Sequence, residues 1–134
     1  MTTTMPMLET YPRKIDLDRR SLASTIDTVL ECGEACTECA AACLREGDIA
    51  ALARCIRLDM DCADVCTATA RVLSRHTEDD AGLTRAMLEA CITACRACAE
   101  ECAKHADHHE HCRICADACT RCERACGELL ASVG

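Results

Sequence analysis

Hydrophobic and polar positions repeat with a helical period from about residue 18 almost to the end of the chain. These segments are rich in Ala, Glu, Arg and Leu, and Gly and Pro rarely interrupt them. Residues 1–17 lack this period, and we expect an irregular or partly ordered N-terminal arm there. The period predicts four helices, at about residues 18–46, 49–75, 81–105 and 109–131.

Short polar connections separate the predicted helices. Gly47-Asp48 is typical of a helix end followed by an N-cap. Residues 75–82 have the composition of a polar turn, and residues 105–110, HADHHE, make a third connection. Because connections this short join antiparallel neighbours, residues 18–134 are predicted to form one all-α domain, an antiparallel up-down-up-down four-helix bundle.

Cysteine occupies the inward positions that leucine and isoleucine fill in an ordinary bundle. Within each predicted helix the cysteines are separated by steps of three, four or seven residues, which keeps them on one face. Four such faces turned toward a common axis would form a tube lined with thiols. The cysteines are Cys32, Cys36, Cys39, Cys43, Cys55, Cys62, Cys66, Cys91, Cys95, Cys98, Cys102, Cys112, Cys115, Cys119, Cys122 and Cys126.

The composition argues against an ordinary packed interior. The 134 residues include 16 cysteines but no Trp, no Phe and one Tyr. Cysteine used only as a small hydrophobe would pack less well than leucine and leave destabilising cavities. Disulfides within a helix would be strained, because same-face neighbours lie about 5–6 Å apart between Cβ atoms, whereas a disulfide needs about 3.5–4.5 Å.

The N-terminal residues do not have the pattern of an export signal. Residues 1–15 contain no apolar run of the kind found in signal peptides. The pair Arg19-Arg20 is followed by the polar stretch SLASTIDT rather than by an apolar segment. A secreted disulfide scaffold would also be richer in loops than five Gly and two Pro suggest. We therefore expect a cytoplasmic protein whose thiols stay reduced.

The sequence disfavours two further partners, nucleic acid and membranes. The chain carries 15 basic and 23 acidic residues, a formal net charge of −8. Binding to nucleic acid requires Lys and Arg clustered on one face, which this balance disfavours. No run approaches the 18 or so apolar residues of a membrane span. We expect neither a nucleic-acid partner nor a membrane.

A tube of thiols favours a soft metal ion as its occupant. Cu(I) selects thiolates and accepts two or three of them, so pairs four residues apart, such as Cys32 and Cys36, could each hold one ion. If every thiolate bridges two ions and every ion takes two thiolates, the tube holds on the order of 16 Cu(I). Each Cu⁺ replaces one thiol proton and keeps the buried tube near neutral, whereas uncompensated thiolates would be costly to bury.

Two other metals remain as alternatives. Cys32-x3-Cys36-x2-Cys39 matches the spacing that holds an iron–sulfur cluster in radical enzymes using S-adenosylmethionine, which would make the chain an iron–sulfur redox protein. Zinc prefers separate closed groups of four ligands, and a zinc-thiolate buffer is the third hypothesis. A continuous helical stripe fits Cu(I) better than it fits either of these arrangements.

The first and third connections meet at one end of the predicted bundle, which we call the mouth. Asp59, His105 and His111 continue the inward faces there, at steps of three or four from cysteines. We predict these three residues as mixed metal ligands where copper is taken up. His108 would join them if the fourth helix began early, and His109 if the third helix ran on.

The opposite end is predicted to be an apolar plug. Met87 precedes Cys91 by four residues and is a candidate thioether ligand, although it would serve equally as filler. The residues that fall near the inward faces at this end are Thr28, Val29, Leu73, Met87, Leu129 and Leu130.

The C-x3-C-x2-C-x3-C pattern of the first and third helices resembles the cytosolic branch of the bacterial four-helix-bundle copper storage proteins. The resemblance extends from about Ser21 to Leu130. It implies a non-catalytic bundle that stores many Cu(I) ions, usually as a homotetramer, with a copper chaperone or a low-molecular-weight thiol as candidate donor. The second helix departs from the family pattern, because three cysteines stand there instead of four or more, which leaves the number of ions open.

Overall fold

Four long helices make up most of the fold. The computed structural model describes residues 2–75 and 81–133, and within these ranges all regular structure is helical. Each long helix packs against two others around a closed ring, which confirms the predicted all-α four-helix bundle. The elements are α1 (Thr4–Glu9), α2 (Arg19–Cys43), a 3-10 turn (Ile49–Leu52), α3 (Ala53–Arg75), α4 (Ala81–His105) and α5 (Glu110–Ser132).

Local hydrogen bonds set the two ends of α2. The Asp18 carboxylate accepts a hydrogen bond of 2.9 Å from the backbone N–H of Ser21 and caps the helix. The helix ends at Cys43, three residues before the predicted end, because a tighter turn follows in which the Glu46 N–H donates to the Cys43 carbonyl at 3.2 Å. Asp48 lies at the N-cap position of the 3-10 turn, but its side chain makes no capping hydrogen bond there.

Of the other two connections, the structure describes the one between α4 and α5 completely and the one between α3 and α4 only at its ends. The predicted polar turn at residues 75–82 falls mostly on residues 76–80, which lie outside the described part of the chain. The connection between α4 and α5 is a short turn in which the N–H groups of His108 and His109 both donate to the His105 carbonyl. This turn brings the two helices side by side within four residues.

The N-terminal arm folds back onto the first half of α2. Leu8, in α1, is only 2% exposed and joins the core of the bundle. The Thr4 hydroxyl donates to the Asp27 carboxylate at 2.6 Å, and the Arg19 guanidinium donates to the Leu8 carbonyl. The arm therefore lies over the end of the bundle opposite the mouth.

The core is a column of cysteines with an apolar end. All 16 cysteine side chains are buried and none forms a disulfide. Of the predicted plug residues, Thr28, Met87 and Leu130 are half-buried. The fully buried apolar side chains at that end are Leu22, Ile26, Val29, Leu73, Leu88 and Leu129. No helix within residues 2–75 and 81–133 is both long enough and apolar enough to cross a membrane.

Candidate metal centre

The thiols of neighbouring helices meet level by level along the axis of the bundle. Between α2 and α5 the Sγ···Sγ distances are 3.7 Å for Cys32 and Cys119, 3.7 Å for Cys36 and Cys115, and 3.9 Å for Cys43 and Cys112. Between α3 and α4 they are 3.8 Å for Cys66 and Cys91, 3.7 Å for Cys62 and Cys95, and 3.5 Å for Cys55 and Cys102. In both pairs residue numbers rise on one helix as they fall on the other, so the helices run antiparallel as predicted.

These distances suit metal ligation and not disulfides. A disulfide holds its sulfurs about 2 Å apart, far closer than any of these pairs. A metal–sulfur bond of about 2.3 Å, the length in zinc thiolates, separates two sulfurs by about 4 Å across a three-coordinate ion. Pairs four residues apart within one helix, such as Cys62 and Cys66 at 3.9 Å, are no closer than pairs between helices. An ion on the axis can therefore take ligands from two or three helices at once.

Potential ligand atoms cluster in overlapping groups of four. Within each group the ligand atoms lie within 4.8 Å of one another. Cys32, Cys36, Cys39, Cys115 and Cys119 each belong to two of the groups, so neighbouring groups share sulfurs. Shared sulfurs favour bridging thiolates, which suit Cu(I), over the separate closed sites that zinc prefers. The groups include Cys32/Cys66/Cys95/Cys122, Cys32/Cys36/Cys62/Cys119, Cys36/Cys98/Cys115/Cys119, Cys39/Asp59/Cys102/Cys115 and Cys39/Cys43/His111/Cys112.

Asp59 replaces a thiol in the α3 stripe and is fully buried among cysteines. Its Oδ1 atom lies 3.0 Å from the Sγ of Cys98, 3.3 Å from that of Cys115 and 3.4 Å from that of Cys102. Burial, with a smaller contribution from Cys115, raises the pKa of the Asp59 carboxyl to about 8. A carboxyl in this position needs either a proton or a cation, and three thiols surround the place that a cation would occupy.

His111 stands where the thiol column meets the mouth. Its Nδ1 atom lies 3.4 Å from the Sγ of Cys39, 3.6 Å from that of Cys112 and 4.0 Å from that of Cys43. Burial is the largest cause that raises the pKa of Cys43, to about 11, so this thiol is protonated at neutral pH. His111 is only partly buried, so it connects the buried column with solvent.

His109 turns away from the thiols toward two carboxylates. Its Nδ1 lies 3.0 Å from Glu46 Oε2, and its Nε2 lies 3.0 Å from Asp48 Oδ2. Because a carboxylate only accepts hydrogen bonds, both contacts form together only when the ring carries both protons. The hydrogen bond with Asp48 accordingly raises the pKa of His109. The ring also stacks on His111, with centroids 5.4 Å apart.

The remaining candidates from the sequence lie outside the groups described above. The His105 Nε2 lies 3.0 Å from Glu101 Oε2. His108 is exposed in the turn between α4 and α5. Met87 is half-buried near the start of α4, and its carbonyl lies 3.5 Å from the Thr69 hydroxyl.

Three acidic residues at the mouth were not predicted from the sequence. Glu46 contacts both His109 and His111, and Asp48 contacts His109. Glu101 is 6% exposed and contacts His105, Lys104 and Arg54. Burial opposes ionisation of Glu101, but its hydrogen bonds from His105 and Lys104 together lower its pKa. The sequence feature that could have revealed them is that acidic residues and histidines lie together in and beside the connections at one end of the bundle.

The geometry agrees with three comparisons to known proteins. The solved structure of the copper storage protein Ccsp from Streptomyces lividans, loaded with 10 copper equivalents, is 59% identical over 97% of this chain and 99% of that chain, with a TM-score of 0.95. A second structure of the Streptomyces lividans protein, described as cytosolic and containing five coppers, is 62% identical over 86% and 96% of the two chains, with a TM-score of 0.84. A Cu(I)-bound copper storage protein, BsCsp3, is 32% identical over 82% and 98% of the two chains, with a TM-score of 0.74.

A curated sequence and a family comparison extend these matches. An uncharacterized cysteine-rich protein of Bacillus subtilis, YhjQ, is 35% identical over 106 residues, which are 79% of this chain and 93% of that protein. Residues 18–131, nearly the whole four-helix region, match the family described as Csp, copper storage protein. With its thiol column, its fold and these matches taken together, the chain belongs to the copper storage protein family.

Proposed function

We propose that this protein takes up Cu(I) and stores many ions along the thiol column, where they are held without harm until they are needed. The observation that carries the proposal is the sharing of sulfurs between neighbouring ligand groups. Sharing lets each thiolate bridge two ions, which gives a capacity on the order of 16 Cu(I) per chain. One Cu⁺ for each lost proton keeps the buried column near neutral.

All 16 cysteines are proposed as ligands, with Asp59 and His111 as mixed ligands near the mouth. The contacts of the Asp59 carboxyl and the His111 ring with the thiols support this assignment. His105, His108 and His109 are proposed to take part in copper uptake at the mouth rather than in storage, because none of them belongs to the ligand groups described above. The role of Met87 as a thioether ligand at the far end of the column remains a prediction.

The cellular setting is part of the same proposal. We place the protein in the cytoplasm, as the Streptomyces lividans relative is described, where thiols stay reduced. Storage requires no reaction, so we assign no catalytic role. A homotetramer is the proposed assembly, and a copper chaperone or a low-molecular-weight thiol is the proposed donor.

An anaerobic titration of the fully reduced protein with Cu(I), in competition with a strong Cu(I) chelator, tests this function. We expect uptake to continue well beyond four ions per chain, with ultraviolet charge-transfer bands and no visible colour. Saturation at four or fewer ions would overturn the storage role. A brown product after reconstitution with iron and sulfide would favour the iron–sulfur alternative, and displacement of bound copper by stoichiometric zinc would favour the zinc buffer.

A further inference from the structure

We infer that Glu46 is a positioning residue that fixes the ring of His111, so that Nε2–H points to the Glu46 carboxylate and the Nδ1 lone pair points to the thiols. This inference rests on the proposed function, because it concerns how the mouth presents a nitrogen ligand to Cu(I). Glu46 itself contacts no thiol in the contacts given above. Its effect on copper would be exerted through His111.

The two edges of the His111 ring face different chemistry. Glu46 Oε2 lies 2.8 Å from His111 Nε2, a short distance for a charge-assisted hydrogen bond. On the other edge, Nδ1 lies 3.4–4.0 Å from the Sγ atoms of Cys39, Cys112 and Cys43. A carboxylate can only accept, so the proton must lie on Nε2. A neutral ring then has an unprotonated Nδ1, which is the form that binds a metal.

The turn after α2 and the neighbouring histidines together hold the Glu46 carboxylate in this position. The turn after α2 ties the Glu46 N–H to the Cys43 carbonyl, which places its side chain opposite the first turn of α5. Glu46 Oε2 also accepts from His109 Nδ1 at 3.0 Å, and Asp48 holds the other edge of the His109 ring. Stacking between His109 and His111 restricts the second ring further. Metal-binding histidines commonly donate their second N–H to a carboxylate in this way.

A competing explanation is that Glu46 acts only through its negative charge, by attracting Cu⁺ to the mouth. Two variants separate charge from positioning. Glu46→Gln removes the charge but keeps an oxygen that can accept from Nε2–H. Glu110→Ala removes an exposed carboxylate one residue from His111 that pairs with Arg113 instead of with a histidine. A purely electrostatic role predicts similar losses of copper affinity in Glu46→Ala, Glu46→Gln and Glu110→Ala.

The first measurement is the tautomer of His111 in the reduced, copper-free protein, read from long-range proton–nitrogen NMR correlations and assigned with His111→Ala. We expect a single Nε2–H form in the parent and in Glu46→Gln. Glu46→Ala should give a mixture of both tautomers. An unchanged Nε2–H form in Glu46→Ala would overturn the inference, and this readout does not depend on copper.

The second measurement is Cu(I) affinity at low loading, by competition with a chelator. We expect Glu46→Ala to weaken the tightest mouth site by about 10-fold, with total capacity unchanged, as for other residues that orient a metal ligand. Glu46→Gln should recover most of this affinity, and Glu110→Ala should match the parent. Equal losses in Glu46→Ala and Glu110→Ala would overturn positioning in favour of charge. A parent that holds four or fewer ions would instead contradict the proposed function, and the NMR result would still decide how His111 is held.

Discussion

Cysteine is suited to a buried axis that is alternately empty and filled with metal. As a thiol it is small and neutral and packs as a hydrophobe, and as a thiolate it is a soft ligand for Cu(I). Asp59 is the exception, since a carboxyl is costly to bury when it is ionised and unpaired. Its position among thiols from α4 and α5 places a hard oxygen atom and a titratable group at one level of the column.

The double variant Asp59→Ala/His111→Ala should slow copper loading while the capacity stays near that of the parent. Both residues lie near the mouth, where we expect incoming ions to meet the column first, but neither is one of the 16 thiols. Stopped-flow transfer from a Cu(I)–chelator complex measures the rate, and titration measures the capacity. The matched control is Asp61→Ala, because Asp61 is an exposed aspartate only two residues from Asp59. A large loss of capacity at an unchanged rate would refute the mouth assignment.

The copper-free protein should lose stability as the pH rises from about 4 to about 8. The pKa of Asp59 is raised from 3.8 to about 8 on folding, so in this window the folded state holds a proton that the unfolded state has released. By linkage, stability then falls with rising pH, and the effect is absent below 3.8 and complete above 8. Urea unfolding of the reduced protein at several pH values measures it. Asp59→Asn should remove most of this slope, and a slope that survives in Asp59→Asn would contradict the assignment.

Each long helix contributes one face to the column, and steps of three and four residues are sufficient to specify that face. The periodicity therefore predicted α4, at Ala81–His105, and the antiparallel order of the helices. It did not predict that α2 ends at Cys43, because the tight turn that follows, closed by the Glu46 N–H and the Cys43 carbonyl, has no period of its own. The role of Glu46 was missed because connections have no period. That of Glu101, which lies within α4, was missed because tertiary packing brings it close to Arg54 of α3.

Leu88→Ala tests whether the apolar plug stabilises the bundle independently of copper. Leu88 is fully buried near the start of α4, so its truncation should cost roughly 2–5 kcal/mol of stability in the copper-free protein. Capacity should not change, because no ligand is lost. Leu83→Ala, on the same helix but 45% exposed, is the control and should have little effect on unfolding. If copper capacity fell with Leu88→Ala while the fold survived, the plug would have to be reassigned to copper binding.

The whole molecule has two unlike ends joined by one continuous column of thiols. Leucine, isoleucine and valine close one end, and the α1 arm lies over it. Histidines and carboxylates surround the other end, where His111 reaches the first thiols. Because of this polarity we expect copper to enter and leave at the mouth. The absence of Trp and Phe has its explanation here, because small side chains leave room along the axis for ions.

Anomalous diffraction at the copper absorption edge, from crystals of the reduced and copper-loaded protein, tests the central claim most directly. We expect a single column of copper peaks along the bundle axis, from the level of His111 to that of Cys126, with a number on the order of one per thiolate. Four or fewer peaks on the axis, or copper bound mainly on the outer surface of the helices, would contradict it.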